Sequence, residues 1–175
     1  MKLNRRHFLK STAAASFALS ALPLLGAEAP ARKYRTALIG CGWWGNNILG
    51  EAMASGVCPI VGLCDVDQVF LDKTGERVKK ETGADPKPFK DYRELLAQTK
   101  PDIAIVATPD HWHPLIAIAA VKAGAHVYVE KPIGHTIKEG RAMVNAARAT
   151  GKVVQVGTHR RVSPHNMSGR EFIRA

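Results

Sequence analysis

The 175-residue chain carries a formal net charge of +10 and is 46% hydrophobic, which suits about one globular domain. Residues 1–29 hold four of the 25 basic residues and one of the 15 acidic ones, so 21 basic and 14 acidic residues remain once this leader is set aside. They are scattered along predicted helices without interleaved aromatic residues, which argues against nucleic acid as a partner. The three cysteines form no CxxC pair, and their odd number argues against a disulfide framework.

The leader is typical of an export signal. Basic residues precede an apolar stretch at 13–25, which is too short to span a bilayer and predicts no stable membrane anchor. The segment 5–10 (RRHFLK) resembles the twin-arginine signal, in which two arginines and one further residue precede Phe-Leu-Lys. An ordinary secretory signal is the alternative. We predict a periplasmic or otherwise extracytoplasmic protein that uses the twin-arginine machinery, with cleavage after Ala27 or Ala29.

A glycine-rich turn, residues 40–45 (GCGWWG), lies between the first predicted strand and the first predicted helix. A GxGxxG pattern in this position is typical of the dinucleotide-binding βαβ unit. Gly40 permits the tight turn, Gly42 lets the backbone approach a pyrophosphate, and Gly45 lets the helix pack closely on the strand. The N–H groups at the start of the helix then face the phosphates.

Asp65 ends the second apolar run, twenty residues after Gly45. A carboxylate at this distance accepts hydrogen bonds from both hydroxyls of the adenosine ribose, and it repels a 2′-phosphate. No arginine follows directly, which favours NAD over NADP. The alternative for Asp65 is a plain turn or helix-capping residue.

The rest of the chain alternates between strand-like and helix-like segments. The strand-like segments are nearly continuous apolar runs, which are typical of parallel strands covered on both faces. This alternation predicts an α/β fold, a doubly wound Rossmann sheet of strand order 3-2-1-4-5-6, over a dinucleotide-binding domain at 32–157. Residues 85–89 are a stiff connector with room for a short extra strand. The predicted strands are 34–39, 60–65, 103–107, 126–130 and 153–156, and the predicted helices are 43–55, 66–82, 92–98, 114–123 and 137–150.

Local signals mark the ends of several predicted helices. Capping-box spacing occurs at Asp91–Glu94 and at Thr136–Glu139. Glycines that suit a left-handed C′ position follow four of the predicted helices, at Gly56, Gly83, Gly124 and Gly151.

Polar residues cluster where the later strands end. Ligands of open parallel sheets bind beyond the carboxyl ends of the strands, so these clusters should share one edge. The H-x-H spacing of His111 and His113 also occurs in metal sites, but no third ligand is identifiable, and polar packing beside a cofactor is the preferred interpretation. The clusters are Thr108, Pro109, Asp110, His111, Trp112 and His113, then Glu130, Lys131 and Pro132, then Gly157, Thr158, His159, Arg160 and Arg161.

The regular pattern stops after Gly157. Residues 158–168 are predicted to form a loop, and residues 169–175 the first turns of a helix. We interpret 158–175 as a connector and the start of a further domain, and we expect the chain to be part of a longer protein.

Taken together, these elements resemble the Gfo/Idh/MocA oxidoreductase family from about Arg32 to the end of the chain. The resemblance rests on the glycine turn, Asp65, the segment 107–113, the Glu130-Lys131-Pro132 motif and the segment 155–161, in that order. It implies NAD or NADP as cofactor, a sugar, cyclitol or polyol as substrate, and a homo-oligomer when full length. It also implies a C-terminal α/β domain, absent from this chain, that carries the acid/base histidine.

The resemblance implies a role for each matched position. Lys131 would bind beside the cofactor and hydrogen-bond the reacting hydroxyl or carbonyl, which makes it the candidate catalytic residue; read alone, it is a plain surface lysine. His159, Arg160 and Arg161 are substrate candidates, although the arginines could equally pair with carboxylates of the missing domain. The cofactor-binding candidates are Gly40, Gly42 and Gly45 with Trp43 and Trp44 at the pyrophosphate, Asp65 at the adenosine ribose, Thr108, Pro109 and His113 along the cofactor, and Glu130 near the nicotinamide ribose. The two tryptophans either stack on the ligand or fill space between loop and helix.

Three functions follow from these assignments. The first is hydride transfer to or from a sugar or polyol, with this chain binding NAD but not turning over substrate alone. The second is an NAD-dependent, redox-neutral glycosidase, and the third is a non-catalytic dinucleotide-binding module.

Overall fold

The alternating pattern folds, in the computed structural model, into a sheet whose six strands are all parallel and ordered β3-β2-β1-β4-β5-β6. The predicted strand order is thereby confirmed. The structure describes residues 32–175, and the predicted export signal lies outside them. The strands are β1 (Thr36–Ile39), β2 (Ile60–Cys64), β3 (Lys87–Phe89), β4 (Ile103–Val106), β5 (His126–Glu130) and β6 (Val154–Gly157); the helices are α1 (Trp43–Ala54), α2 (Gln68–Thr82), α3 (Tyr92–Thr99), α4 (His113–Lys122), α5 (Ile137–Thr150) and α6 (Pro164–Arg174).

The sheet is covered on both faces, which explains why its strands read as continuous apolar runs. On β1, Leu38 packs with Leu49 of α1 and Leu71 of α2 on one face. Its neighbours Ala37 and Ile39 belong to the core on the other face, with residues from α3, α4 and α5. Every residue of β1 is buried, and burial of a Leu or Ile side chain is worth about 1.5–3 kcal/mol.

The helix boundaries follow mostly from local chemistry. Thr136 and Glu139 form the predicted capping box, with reciprocal side-chain to backbone hydrogen bonds. Asp91 does cap α3, but its carboxylate accepts from the N–H of Arg93 instead of Glu94, so the predicted box is wrong there. The four glycines predicted to follow helices all have positive φ, at Gly56, Gly83, Gly124 and Gly151.

The end of the chain differs from the prediction. Residues 159–162 form a 3-10 turn and α6 begins at Pro164, within the segment predicted as a loop. The overlooked signal is Ser163-Pro164, because serine is favoured just before a helix and proline at its first position. The connector at 85–89 does contain a short strand, β3.

The two buried cysteines, Cys41 and Cys64, are packing residues, as predicted. Burial is the main cause that raises the pKa of both thiols to about 12, and the nearby Asp65 carboxylate adds to it. Both are free thiols, as is Cys58.

Strand order leaves a crevice at one place. β1 pairs with β2 on one side and β4 on the other, so the connections leaving β1 and β4 run to opposite faces of the sheet, and the carboxyl ends of these strands stand open between them. Among residues 32–175, no helix has both the length and the apolar character needed to cross a bilayer.

Candidate functional site

The glycine turn is shaped by close backbone contacts. Gly40 has φ +100°, and a Cβ there would lie 2.5 Å from the carbonyl oxygen of Ala107, the residue that follows β4. A Cβ at Gly45 would overlap the carbonyl oxygen of Gly40. The fold itself therefore requires glycine at both positions, because α1 sits directly on the turn.

Gly42 is different. Its φ is −68°, which any residue can adopt, and no protein atom lies within 4 Å of a Cβ built on it. It stands at the N-terminus of α1, where no side chain caps the helix and no acidic residue lies in the first turn. The fold therefore does not require glycine here, and the space beside Gly42 adjoins free N–H groups that suit a phosphate.

Asp65 is tied to the backbone at both carboxylate oxygens. Oδ2 accepts from the N–H of Cys41 at 2.6 Å, and Oδ1 accepts from the N–H of Asp67 at 2.9 Å. A carboxylate has about four lone-pair sites, so acceptor capacity remains for ribose hydroxyls. The turn role and the ribose role, which the sequence left as alternatives, are therefore compatible.

A polar network behind the turn was missed by the sequence analysis. The amide of Asn46 donates to the carbonyl oxygen of Cys41 at 2.7 Å and to the hydroxyl of buried Thr74 at 2.9 Å. Arg77 donates to the carbonyl oxygen of Asn46 at 2.6 Å. Thr74 and Arg77 lie on one face of α2, three residues apart, so α2 supports the turn from outside the motif.

A cleft of about 580 Å³ opens beside the turn, at the carboxyl ends of β1, β2, β3 and β4. Polar side chains outside the predicted residues also line it, namely Asp67 after β2, Lys90 and Asp91 in the loop between β3 and α3, and Arg93 in the first turn of α3. Lys90 donates to the carbonyl oxygen of Val66 and thereby links this loop to the one after β2. The predicted residues that line the cleft are Gly40, Gly42, Asp65, Thr108 and Pro109.

The loop after β4 is arranged around His113. The His113 ring is only 2% exposed, and its two nitrogens contact the carbonyl oxygens of Thr108 and Pro132. Pro109 is exposed and precedes the 3-10 turn at 110–112. His113 thus lies beneath the edge where cofactor contact was predicted, and both nitrogens are engaged within the protein. This leaves neither nitrogen free for the H-x-H metal alternative.

At the end of β5, a buried carboxylate supports an exposed lysine. Glu130 is 4% exposed, and its oxygens accept from the hydroxyl of Tyr128 at 3.2 Å and from the N–H of Lys131 at 3.1 Å. Burial, followed by the charge of Glu130, raises the pKa of Tyr128 to about 12. A Cβ at Gly157 would overlap Glu130. Within the described residues, the Lys131 ammonium forms no hydrogen bond or ion pair, and the Lys131–Pro132 peptide bond is cis.

The end of β6 reaches back to the glycine turn. The ring of His159 lies against that of Trp44, with centroids 4.8 Å apart, while Trp43 is 77% exposed. Arg160 and Arg161 are exposed on the 3-10 turn that follows β6. The structure therefore brings together the first and last predicted groups, which are more than a hundred residues apart in sequence.

Three buried polar atoms at this edge lack a partner. Among the side chains that the structure describes, they are Trp44 Nε1, Thr108 Oγ1 and His159 Nδ1. Buried polar groups are nearly always hydrogen-bonded, and leaving one unsatisfied costs about 1–3 kcal/mol. All three belong to residues that the sequence predicted to touch cofactor or substrate.

Between the loops after β4 and β5, an exposed ion pair joins His135 to Asp110, with 2.9 Å from Nε2 to Oδ1. The hydrogen bond raises the pKa of His135 and lowers that of Asp110. Within residues 32–175, no three His, Cys, Asp or Glu side chains are grouped as metal ligands.

Comparison with known proteins gives a consistent picture. A family model described as an oxidoreductase family with an NAD-binding Rossmann fold, Gfo/Idh/MocA, matches residues 34–158. Among solved structures, the WlbA dehydrogenase from Chromobacterium violaceum, in complex with NADH and UDP-GlcNAcA, is 32% identical with a TM-score of 0.70, over 78% of this chain and 38% of that one.

The curated relatives carry a different kind of name. A glycosyl hydrolase family 109 protein from Shewanella pealeana is 33% identical over 87% of this chain and 38% of its own length. An alpha-N-acetylgalactosaminidase from Shewanella oneidensis is 29% identical over 86% of this chain and 38% of its own. The chain thus spans well under half the length of these relatives. The family match covers most of the chain and coincides with the glycine turn, the cleft and the strand ends described above, so this protein belongs to the Gfo/Idh/MocA oxidoreductase family and contains its NAD-binding Rossmann domain.

Proposed function

We propose that the full-length protein uses NAD to transfer a hydride at a hydroxyl-bearing carbon of a sugar or polyol, with Lys131 hydrogen-bonding the reacting oxygen. The observation that carries this proposal is the Lys131 side chain. Its backbone N–H is held by buried Glu130, whereas its ammonium is unpaired within the described residues, at the carboxyl-terminal edge of the sheet where we expect NAD to bind. An ammonium without a partner in the described part of the protein is free to donate to a substrate oxygen, and this is the task proposed for it.

The task follows from elementary electrostatics. Bound NAD supplies a nicotinamide ring that accepts and returns a hydride. When a hydroxyl-bearing carbon is oxidised, its oxygen passes through a state in which negative charge develops. The Lys131 ammonium donates a hydrogen bond to that oxygen, and removal of one such donor typically lowers kcat by about 100-fold to 1,000-fold. We assign contact with the remaining substrate hydroxyls to His159, Arg160 and Arg161.

A redox-neutral glycosidase is the second candidate, and the names of the curated relatives favour it. In that chemistry the sugar is oxidised, the aglycone is eliminated, water adds to the resulting enone, and the hydride is then returned to the carbonyl carbon. The same Lys131 contact serves the first and the last step. NAD bound to the domain is regenerated in each turnover, which suits a protein that works where free NAD is scarce.

The two candidates are separated by net chemistry in the full-length protein. With a nitrophenyl N-acetyl-α-galactosaminide and a panel of free sugars, we expect aglycone release without net change in nicotinamide absorbance if the glycosidase is right. A stoichiometric change in nicotinamide absorbance with a free sugar indicates the dehydrogenase.

Lys131→Met should reduce turnover by about 100-fold or more and leave NAD affinity within about threefold. Lys122→Met, an exposed lysine at the far end of α4, is the control. Normal turnover of Lys131→Met removes this residue from the mechanism.

Gly42 provides a test of the pyrophosphate position. Gly42→Val should fold normally, because its Cβ meets no protein atom, yet the side chain occupies space next to the helix N-terminus. We expect NAD affinity to fall by about 100-fold, or about 2.7 kcal/mol, in calorimetric titration, with the unfolding temperature of the NAD-free protein unchanged. Gly45→Ala is the contrasting variant. Its Cβ would overlap the carbonyl oxygen of Gly40, so we expect the unfolding temperature of the NAD-free protein to fall. Unchanged NAD affinity in Gly42→Val contradicts the assignment.

Asp65 provides a test of cofactor preference. Asp65→Asn removes the negative charge and one acceptor oxygen while keeping the size of the side chain. We expect NAD binding to weaken by about 1–3 kcal/mol, and NADP binding to weaken less or to improve. The dissociation constant for NADP divided by that for NAD should therefore fall. Asp102→Asn, which keeps an oxygen for the N–H of Arg35 at the opposite edge of the sheet, should leave both constants unchanged. An unaltered ratio in Asp65→Asn is evidence against the ribose contact.

We also propose that the leader exports the folded protein by the twin-arginine route. The support is the RRHFLK segment followed by the apolar stretch. A fluorescent reporter that matures only in the cytoplasm, fused after residue 31, should reach the periplasm. Replacing Arg5 and Arg6 by lysine preserves the charge and should abolish export, as should loss of the twin-arginine translocase. Export that survives both changes points to the ordinary secretory route.

A further inference from the structure

Two loops frame the edge at which Lys131 lies. One is residues 107–112, between β4 and α4, and the other is residues 131–136, between β5 and α5. His113 joins them from below: Nε2 lies 2.8 Å from the carbonyl oxygen of Thr108, and Nδ1 lies 2.6 Å from the carbonyl oxygen of Pro132. Because the ring is almost wholly buried, water does not compete for either contact.

The contact at Pro132 fixes the chain immediately after Lys131. On the other side of the lysine, its own N–H donates to Glu130. Lys131 is therefore held on both flanks by buried groups, while its side chain remains exposed. A close approach of the second loop to α4 supports the same picture, since a Cβ at Gly134 would lie 2.9 Å from Cγ of Pro114.

We propose that His113 is a positioning residue for Lys131, acting through the carbonyl oxygen of Pro132. This inference rests on the proposed function, in which the Lys131 ammonium meets the reacting oxygen. It differs from the cofactor contact that the family resemblance implied for His113, because the ring faces two backbone carbonyls.

The chemistry of the ring suits the task. Carbonyl oxygens only accept hydrogen bonds, and imidazole is a rigid plate with a nitrogen on each side. A ring that carries a proton on both nitrogens donates to both loops at once, and a neutral ring donates to one. Phenylalanine has the same shape without either nitrogen, and alanine leaves a cavity. Hydrogen bonding and space filling can therefore be separated by substitution.

The exposed His135–Asp110 pair supplies a matched comparison. It links the same two loops at the surface, but exposed ion pairs contribute at most about 1 kcal/mol. His135→Ala therefore removes a histidine bridge between these loops without touching the buried one.

The first measurement is hydrogen exchange in the NAD-free chain. We expect the Lys131 N–H to exchange at least about 10-fold faster in His113→Ala and His113→Phe, with the N–H of Val129 in the middle of β5 unchanged. Added imidazole should restore protection in His113→Ala but not in His113→Phe. His135→Ala should match the wild type. Equal acceleration at Val129 indicates general destabilisation and overturns the proposal, as does unchanged exchange at Lys131.

The second measurement is turnover by the full-length protein. His113→Ala should lower kcat by about 10-fold or more and leave the NAD dissociation constant within about threefold, with kcat recovered by imidazole. Wild-type kcat in this variant overturns the proposal. If Lys131→Met keeps full turnover while exchange at Lys131 still responds to His113, the proposed function fails and the positioning contact stands.

Discussion

The distance between α1 and the sheet is set by the missing side chains of Gly40 and Gly45. With a Cβ at either position, the turn would collide with the carbonyl oxygen of Ala107 or of Gly40. Because that distance is short, the N-terminus of α1 lies directly above the end of β1, in the crevice between the two halves of the sheet. The position of the uncapped N-terminus of α1, the cleft beside it and the contact of His159 with Trp44 all depend on this packing.

Much of this arrangement could be predicted, and the reason is physical. Parallel strands buried on both faces give apolar runs that are easy to see, and glycine spacing is a local property of the turn. The strand order, the position of Asp65 and the polar ends of β4, β5 and β6 follow from those two facts and the rule for open sheets. The start of α6 could also be predicted from the sequence, because Ser163-Pro164 is a helix-start signal in its own right.

Other parts of the site depend on contacts between residues far apart in the chain. Asn46 and Thr74 meet only because α2 packs beside the turn, and nothing in either sequence neighbourhood signals it. The same holds for His113 and Pro132, whose contact needs the register of β4 and β5 to be known. The two roles of Asp65 look like alternatives in the sequence, because spacing alone does not reveal that one carboxylate can hold two backbone N–H groups and still accept further hydrogen bonds.

The dehydrogenase and the redox-neutral glycosidase make the same demand on this domain. Both begin by removing a hydride from a hydroxyl-bearing carbon, so both need NAD held at the crevice and a cation at the oxygen. In the proposed function, the ammonium of Lys131 meets the oxygen in either reaction, so the two candidates differ in what happens to the sugar after the first hydride has left. Under the proposed export route, the two reactions differ in whether NAD is regenerated within one turnover. A protein that crosses the membrane folded carries its NAD with it, and only a reaction that returns the hydride, or a second substrate that takes it, allows repeated turnover there.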